Sequence, residues 1–411
     1  MINLPQGWKW KSLGEICFIT DGTHKTPNYI ETGIPFLSVK NISKGFFDLS
    51  DVKYISLEEH NKLIKRAKPE FGDILICRIG TLGKAIKISL EFEFSIFVSL
   101  GLLKPKVKII SDYLVYFLNS CFIEGWINDN KVGGGTHTAK LNLNILEKCP
   151  IALPPLKEQE RIVGILDESF AKIDESIKIL EQDLLNLDEL MQSALQKAFN
   201  PLKNNAKENY KLPQGWEWKS LGEIANTSSG GTPSRNKKEY WENGNIKWLK
   251  SGELNDGYID FIEENITEEA IKNSSAKIFQ KGTLLIAMYG ATAGKLGILN
   301  LDSTTNQAIC AFLHKDKNIK FLEKFLFYFL FFLRDKIIKD SFGGAQPNIS
   351  QTYIKNLQIP LPPLKEQEQI ASHLDELSSH VKNLKQNYQA QIKDLQELKK
   401  SLLDKAFKGN L

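Results

Sequence analysis

The stretch Leu153-Pro-Pro-Leu-Lys-Glu-Gln-Glu160 is written twice in this chain, returning letter for letter at 361–368, an offset of 208 residues. Two prolines halt any upstream helix and suit a first helical turn, where a missing N–H costs nothing. Glu158 and Glu160 then lie where the helix macrodipole favours negative charge. Downstream, apolar residues recur in steps of three and four: Ile162, Leu166, Phe170, Ile173, Ile177, Leu180, Leu184, Leu187, Met191, Ala194 and Ala198. That alternation is a heptad seam, and it predicts one long helix ended by Asn200-Pro201. The second copy reads Ile370, Leu374, Leu377, Val381, Leu384, Tyr388, Gln391, Leu395, Leu398 and Leu402. Gln391 is its one polar member, either a local packing defect or a register-fixing residue.

Working outward, the same offset relates Leu-Pro-Gln-Gly-Trp at Leu4 and Leu212, Lys-Ser-Leu-Gly-Glu-Ile at Lys11 and Lys219, and Lys-Ala-Phe at 197–199 and 405–407. The chain is therefore two tandem copies of one unit, a globular part followed by a long helix. The expected fold is α+β: two globular domains separated by a pair of long antiparallel coiled-coil helices, with a pseudo-twofold internal repeat. The expected boundaries are 1–152, first globular domain; 153–200, first long helix; 201–211, polar linker; 212–360, second globular domain; and 361–411, second long helix. A helix of roughly 40 residues is about 60 Å long, and a seam of that length must be covered. The other helix of the same chain is the nearest partner.

Within the globular parts, runs at 34–39, 73–79, 85–88 and 94–103 read as strands and 113–123 as a short helix. Three polar, glycine-bearing loops punctuate the first part: Thr20-Asp-Gly-Thr-His-Lys-Thr-Pro27, Arg78-Ile-Gly-Thr-Leu-Gly-Lys84 and Gly133-Gly-Gly-Thr-His-Thr-Ala-Lys140. The second part has Ser228-Ser-Gly-Gly-Thr-Pro-Ser-Arg235, Met288-Tyr-Gly-Ala-Thr-Ala-Gly-Lys295 and Gly343-Gly-Ala-Gln-Pro-Asn-Ile-Ser350 at the corresponding places. Such loops let backbone amides approach phosphates while side chains reach base edges. Turn-making is the competing reading for each. The candidate DNA contacts are Thr23, His24, Lys25, Thr26, Arg78, Lys84, Thr136, His137 and Lys140 in the first part. In the second they are Gly231, Thr232, Ser234, Arg235, Tyr289, Lys295, Gln346 and Asn348.

Other chemistries find little support. The chain has 411 residues and a net charge of +4, compatible with nucleic acid without demanding it. Its five cysteines are scattered and form no CxxC, which argues against disulfides and zinc. Gly290-Ala-Thr-Ala-Gly294-Lys295 is one residue short of a phosphate loop, and Leu296 stands where Ser or Thr would hold magnesium. No Gly-x-Gly-x-x-Gly follows a strand, no nucleophile–base pair stands out, and the six histidines show no metal spacing. His373 and His380 fall on the second helix, as solvated or packed residues. Trp8, Trp10, Trp216 and Trp218 flank the entry motif and read as core or interface anchors. No signal peptide is expected, and the apolar run 325–333 is too short to span a bilayer and reads as a buried helix.

The repeated plan resembles the specificity subunit of Type I restriction–modification enzymes. Leu-Pro-x-Gly-Trp and Gly-Glu-Ile open each globular part, and Leu-Pro-Pro-Leu-x-Glu-Gln-x-x-Ile opens each helix. Asp21-Gly-Thr-His-Lys-Thr-Pro27 and Gly230-Gly-Thr-Pro-Ser234 are similar to motifs of that family's target recognition domains. Where the family writes Pro-Leu-Pro-Pro, the first copy has Ile151-Ala-Leu-Pro-Pro, a minor departure. The resemblance implies a non-catalytic chain that binds no cofactor or metal itself. It implies three partners: double-stranded DNA, modification (methyltransferase) subunits that use S-adenosylmethionine, and restriction (translocase/nuclease) subunits that use ATP and Mg2+. Each globular domain would read one half of a split, asymmetric site in a prokaryotic cytoplasm, away from membranes. The long helices would dock the modification subunits and set the spacing of the half-sites. A self-sufficient methyltransferase or nuclease, and a coiled-coil scaffold without a DNA role, are the competing readings. The missing catalytic motifs weigh against the first, and two unlike, loop-bearing domains weigh against the second.

Overall fold

The computed structural model describes residues 4–134, 139–199, 212–315, 320–341 and 348–411. The chain forms two compact units, one of Met1–Glu181 with Tyr388–Leu411 and one of Gln182–Asn387. Helices Leu156–Phe199 and Leu364–Phe407 are each continuous over 44 residues. Each long helix therefore gives its first part to one unit and its last part to the other. The expected linker 201–211 lies outside the described residues.

In the first unit, strand Lys9–Ser12 pairs antiparallel with Pro150–Leu153. The globular part thus begins and ends on one two-stranded clasp, immediately before the long helix. The Lys-Ser-Leu-Gly-Glu-Ile motif explains itself here. Ser12 and Glu15 form a capping box at the one-turn helix Leu13–Ile16, satisfying donors that a helix start leaves bare. Beyond the clasp lies an antiparallel sheet in the order Cys17–Asp21, Leu100–Pro105, Ile74–Cys77, Ala85–Lys87. A second sheet of three strands orders Lys53–Ile55, Ile34–Leu37 and Ser95–Ile96. Ile74–Cys77 is buried along its whole length, as an unbroken apolar run without alternation requires.

Two sequence expectations need correction. The run 94–103 divides between the two sheets, as Ser95–Ile96 and Leu100–Pro105, because the turn at Phe97–Ser99 carries the chain across. The helix expected at 113–123 is two helices, Ser111–Leu118 and Cys121–Asn130, the second capped by Ser120. Asn119 makes the break. Its side chain accepts from Ala85 N (3.2 Å) and donates to Ala85 O (2.8 Å), tying the break to a sheet edge.

The second unit repeats the plan. Glu217–Ser220 pairs with Gln358–Leu361, and Ser220 and Glu223 form the same capping box. The main sheet orders Ala225–Ser229, Ile309–His314, Leu284–Ala287, Leu296–Leu299 and Gly257–Ile259. A four-stranded sheet orders Asn265–Ile266, Ile246–Leu249, Ser303–Thr305 and Ile278–Phe279. The apolar run 325–333 lies inside the helix Glu323–Lys339, with Phe325 to Leu330 all buried.

The repeated helix-opening motif acts as a clamp. Gln159, 1% exposed, accepts from Ile110 N at 3.0 Å and donates to Pro154 O at 2.9 Å. Gln367, equally buried, accepts from Leu322 N at 2.8 Å and donates to Pro362 O at 2.9 Å. Each glutamine fastens a helix start to the globular part that precedes it. The closing Lys-Ala-Phe does the reverse. Phe407, the end of the second long helix, lies 4.9 Å from the Phe117 ring in the first unit's core. Phe199, the end of the first, lies 5.3 Å from Phe325 in the second unit's core. Each helix thus starts from its own repeat and finishes in the core of the other.

Within each unit the helix segments run antiparallel. In the first, Ile162 and Leu166 share a core with Leu403 and Phe407, while Asp174 pairs with Lys399 at 2.5 Å. In the second, Leu195 and Phe199 share a core with Ala371 and Leu374, while Asp188 pairs with Lys385. The first seam is as read from sequence: every member is buried or half-buried. The second is shifted by one residue on one flank. Leu384, Gln391 and Leu398 are exposed, and Lys385, Ile392 and Lys399 are covered instead. Gln391 is therefore neither a seam defect nor a register pin. Long lysine stems can line a seam while the ammonium reaches a carboxylate; Lys399 also lies 4.9 Å over the Phe170 ring.

No helix among the described residues is long and apolar enough to cross a membrane. All five cysteines are free, and burial pushes the Cys17, Cys77, Cys149 and Cys310 thiols up to about 12.

Candidate nucleic-acid interface

In the first unit the three loops singled out from sequence meet. Thr23 N donates to Ile96 O at 3.1 Å and Arg78 N to Ser99 O at 2.8 Å. Leu141 N donates to Arg78 O at 2.9 Å, and Lys140 bridges to Ile79 and Val132. Gly22 is obligatory at this crossing, since a Cβ there would stand 2.0 Å from Ile96 O. His24, Lys25 and Thr26 are exposed, and Thr23 is half-buried. The Thr23 hydroxyl accepts from Lys25 N at 3.2 Å and shapes the turn. Lys140 is also exposed. Thr136 and His137 lie outside the described residues.

Asp21 organises this cluster. Its side chain is 1% exposed and is paired with both Arg66 and Arg78, with His24 Nε2 3.1 Å from Oδ2. Burial pushes its carboxyl up, and the two guanidinium groups more than offset this, holding it below its ordinary value. Arg78 is buried, with Nε donating to Leu141 O at 2.9 Å and Nη1 to Val98 O at 3.3 Å. It ties three loops together from beneath and does not project from their surface, as its loop position had suggested. Lys84 stands apart, packed against the turn at Gly45, where a Cβ would meet its Cε at 2.9 Å.

The second unit builds the same crossing with other residues. Gly230 meets Thr305 O as Gly22 meets Ile96 O, again at 2.0 Å for a built Cβ. Met288 N donates to Ala308 O at 2.7 Å, Ile349 N donates to Met288 O at 2.7 Å, and Tyr289 bridges to Asn348. Two indoles pin the first loop: Trp248 Nε1 donates to Gly231 O at 3.0 Å and Trp241 Nε1 to Ser234 O at 3.1 Å. Arg235 lies 3.7 Å from the Trp241 ring centroid and 4.8 Å from that of Trp248, with Nη1 2.7 Å from Glu264. Thr232, Ser234, Arg235 and Asn348 are exposed, Tyr289 is half-buried, and Gly231 is buried. Gln346 lies outside the described residues.

Lys295 belongs to a separate group. It and Arg334 share Asp256, which sits at φ 61° and accepts from Leu296 N at 3.0 Å. Burial raises the Asp256 carboxyl, and these partners outweigh it to hold the carboxyl below its ordinary value. The loop 288–295 joins two antiparallel strands, with Gly290 and Gly294 both at positive φ. A hairpin turn has no helix N-terminus to face a phosphate, which is what a phosphate loop requires. Of the entry tryptophans, Trp8 is buried and Trp10 packs on Phe122 at 5.5 Å, whereas Trp218 is 51% exposed. Among the described residues no cluster of His, Cys, Asp and Glu is arranged to hold a metal.

Sequence reading missed Arg66, Trp241, Trp248 and Glu264. Arg66 sits in an ordinary lysine-rich turn, 45 residues from Asp21. Nothing local marks it, because its partner is set by the fold.

A family profile described as Type I restriction modification DNA specificity domain matches residues 5–184 and again 213–394. The chain is 27% identical over 433 residues to the StySPI specificity subunit of Salmonella potsdam, covering 99% of this chain and 90% of that one. It is 26% identical to the EcoKI specificity subunit of Escherichia coli strain K12, with the same coverages. Among solved structures, a chain from a study of complex assembly and conformational transition of the type I R-M system superposes with TM-score 0.80 at 24% identity, over the full length of both chains. The HsdS subunit from Thermoanaerobacter tengcongensis superposes with TM-score 0.61 at 23% identity, covering 100% of this chain and 98% of that one.

Proposed function

Because the chain belongs to the family of the Type I restriction modification DNA specificity domain, we propose that it is the specificity subunit of such a system, reading a bipartite, asymmetric DNA site with one half per domain. The observation that carries this reading is the pairing of one repeated frame with two unlike loop clusters. Gly22 and Gly230 make the same close crossing. Around it, exposed His24, Thr26 and Lys140 of the first domain are matched, at the 208-residue offset, by exposed Thr232, Ser234 and Asn348 of the second. Equivalent positions carrying different side chains read different bases.

In this reading the chain carries no chemistry of its own. Modification subunits dock on the long helices and supply the S-adenosylmethionine-dependent step. Restriction subunits supply the Mg2+- and ATP-dependent step, in the cytoplasm of the host cell. The purified chain given DNA, S-adenosylmethionine, ATP and Mg2+ is expected neither to methylate nor to cut. With modification subunits added, gel shifts should reveal a discrete site, and the methylated motif should be split into two unequal halves. Methyl transfer by the chain alone, or a continuous palindromic motif, overturns the proposal.

A further inference from the structure

We infer that Arg66 and His24, anchored on the buried carboxylate of Asp21, form a clamp for one backbone phosphate of the first half-site. The inference rests on the DNA-reading role proposed above. It adds a residue that sequence did not suggest and assigns it a ligand.

The geometry is that of a built site. Asp21 is 1% exposed, while the side chains of Arg66 and His24 are 54% and 61% exposed. They come from separate elements: His24 from the loop after Cys17–Asp21, Arg66 from the turn closing helix Leu57–Leu63. Arg66 holds Asp21 twice, at the carboxylate and through Nε to Asp21 O at 3.2 Å. Two guanidinium groups around one carboxylate leave an excess positive charge. Arg78 is buried beneath, so that excess faces solvent through Arg66.

His24 completes the arrangement. Its Nε2 lies 3.1 Å from Asp21 Oδ2, so that nitrogen carries the proton and donates inward. The same nitrogen lies 3.5 Å from Arg66 Nη2. Both groups therefore donate to Asp21 and stand side by side, with Nδ1 of His24 and the outer N–H groups of Arg66 turned away from it. A phosphate oxygen seated against Nδ1 brings a solvent proton onto that nitrogen, so that the ring then donates to Asp21 on one side and to the phosphate on the other, while the outer N–H groups of Arg66 donate to a second phosphate oxygen. A guanine edge offers acceptors without the negative charge that draws the second proton to the ring. The pair faces open solvent, which suits one phosphate of an extended polyanion better than an enclosed small molecule. The second domain has Ser229 where the first has Asp21, and its Arg235 is paired with Glu264. The clamp thus belongs to the first domain alone.

The test uses the full chain assembled with its modification subunits, on duplexes carrying the methylated motif and on unrelated duplexes. Arg66→Ala and His24→Gln should each weaken binding roughly tenfold, the scale of one charge-assisted hydrogen bond. The loss should be the same on specific and unrelated DNA, and the methylated motif should stay unchanged. The slope of log affinity against log salt should shrink by about 0.9 for Arg66→Ala. A methylphosphonate at one position of the first half-site should reproduce the loss and add nothing to Arg66→Ala. Should Arg66→Ala fail to fold, His24→Gln, which leaves Asp21 both of its guanidinium partners, decides. Unchanged affinity and salt slope in His24→Gln, or a methylated motif altered in its first half, overturns the clamp. Absence of any site-specific binding by the unsubstituted assembly instead overturns the DNA-reading role beneath it.

Discussion

At the scale of single residues, the two loop clusters hold their cations differently. Arg235 is stacked on two indoles and paired with Glu264, so its planar fork is oriented before any ligand arrives. Arg235→Ala should relax the second half-site at a cost of about 1–3 kcal/mol and leave the first unchanged. Binding competitions with single-base variants of each half-site measure this. An even loss across all sequences with a shallower salt slope reassigns Arg235 to the backbone. Asp21 makes a pH prediction. Its folded value lies below the ordinary 3.8, so its contribution is complete above that value and disappears as pH falls through the folded one. Asp21→Asn should therefore lower stability at pH 7 by about 3 kcal/mol, as removing one partner from a buried ion pair does. The gap to the unsubstituted chain should begin to narrow near the ordinary 3.8 and close only once pH has fallen through the lower folded value, and thermal unfolding followed against pH reads it directly. His24, Lys25 and Arg235 were legible as exposed loop residues because Gly, Thr and Pro mark turns locally. The inward role of Arg78 was not, since Leu141 and Val98 become its acceptors only once three distant segments converge.

At the scale of elements, the helix-opening motif was legible because it is a local signal: prolines, then acid, then a heptad. What its glutamine does was hidden, because the backbone N–H that it accepts from, Ile110 N in one unit and Leu322 N in the other, comes from a different segment. Gln159→Leu should leave Ile110 N and Pro154 O without these partners and cost about 1–3 kcal/mol for each unsatisfied group. Gln367→Leu should cost the same in the second unit, and chemical denaturation of each variant checks both. The second seam tests the limit of pattern reading. Period alone cannot tell 384, 391 and 398 from 385, 392 and 399 when a lysine stem can pack as a hydrocarbon. Ile392→Gln should destabilise by about 1 kcal/mol, since that residue is half-covered. Gln391→Leu should change stability by less than about 0.5 kcal/mol. The reverse order in thermal melts restores the seam read from sequence.

At the scale of the whole molecule, the duplication was fully visible, because an offset of 208 residues needs no structure to be seen. The reciprocal burial of Phe199 and Phe407 was not, because which core receives each helix end is a tertiary fact. The repeat also predicts a hybrid. Replacing 212–360 with a copy of 1–152 should give an assembly whose methylated motif is a palindrome of the first half-site. Methylation mapping that still finds the original second half removes 212–360 from base reading. The two-stranded clasps give this a longer reach. Lys9–Ser12 meets Pro150–Leu153, and Glu217–Ser220 meets Gln358–Leu361, so each reading domain enters and leaves its frame at a single point. Descent can therefore treat the interior as heritable cargo. On the function proposed above, a lineage that trades the residues between Ser12 and Pro150 for foreign sequence acquires a new target in one generation, provided the newcomer again offers Gln159 a backbone N–H and Phe407 an aromatic seat, as Ile110 and Phe117 do now.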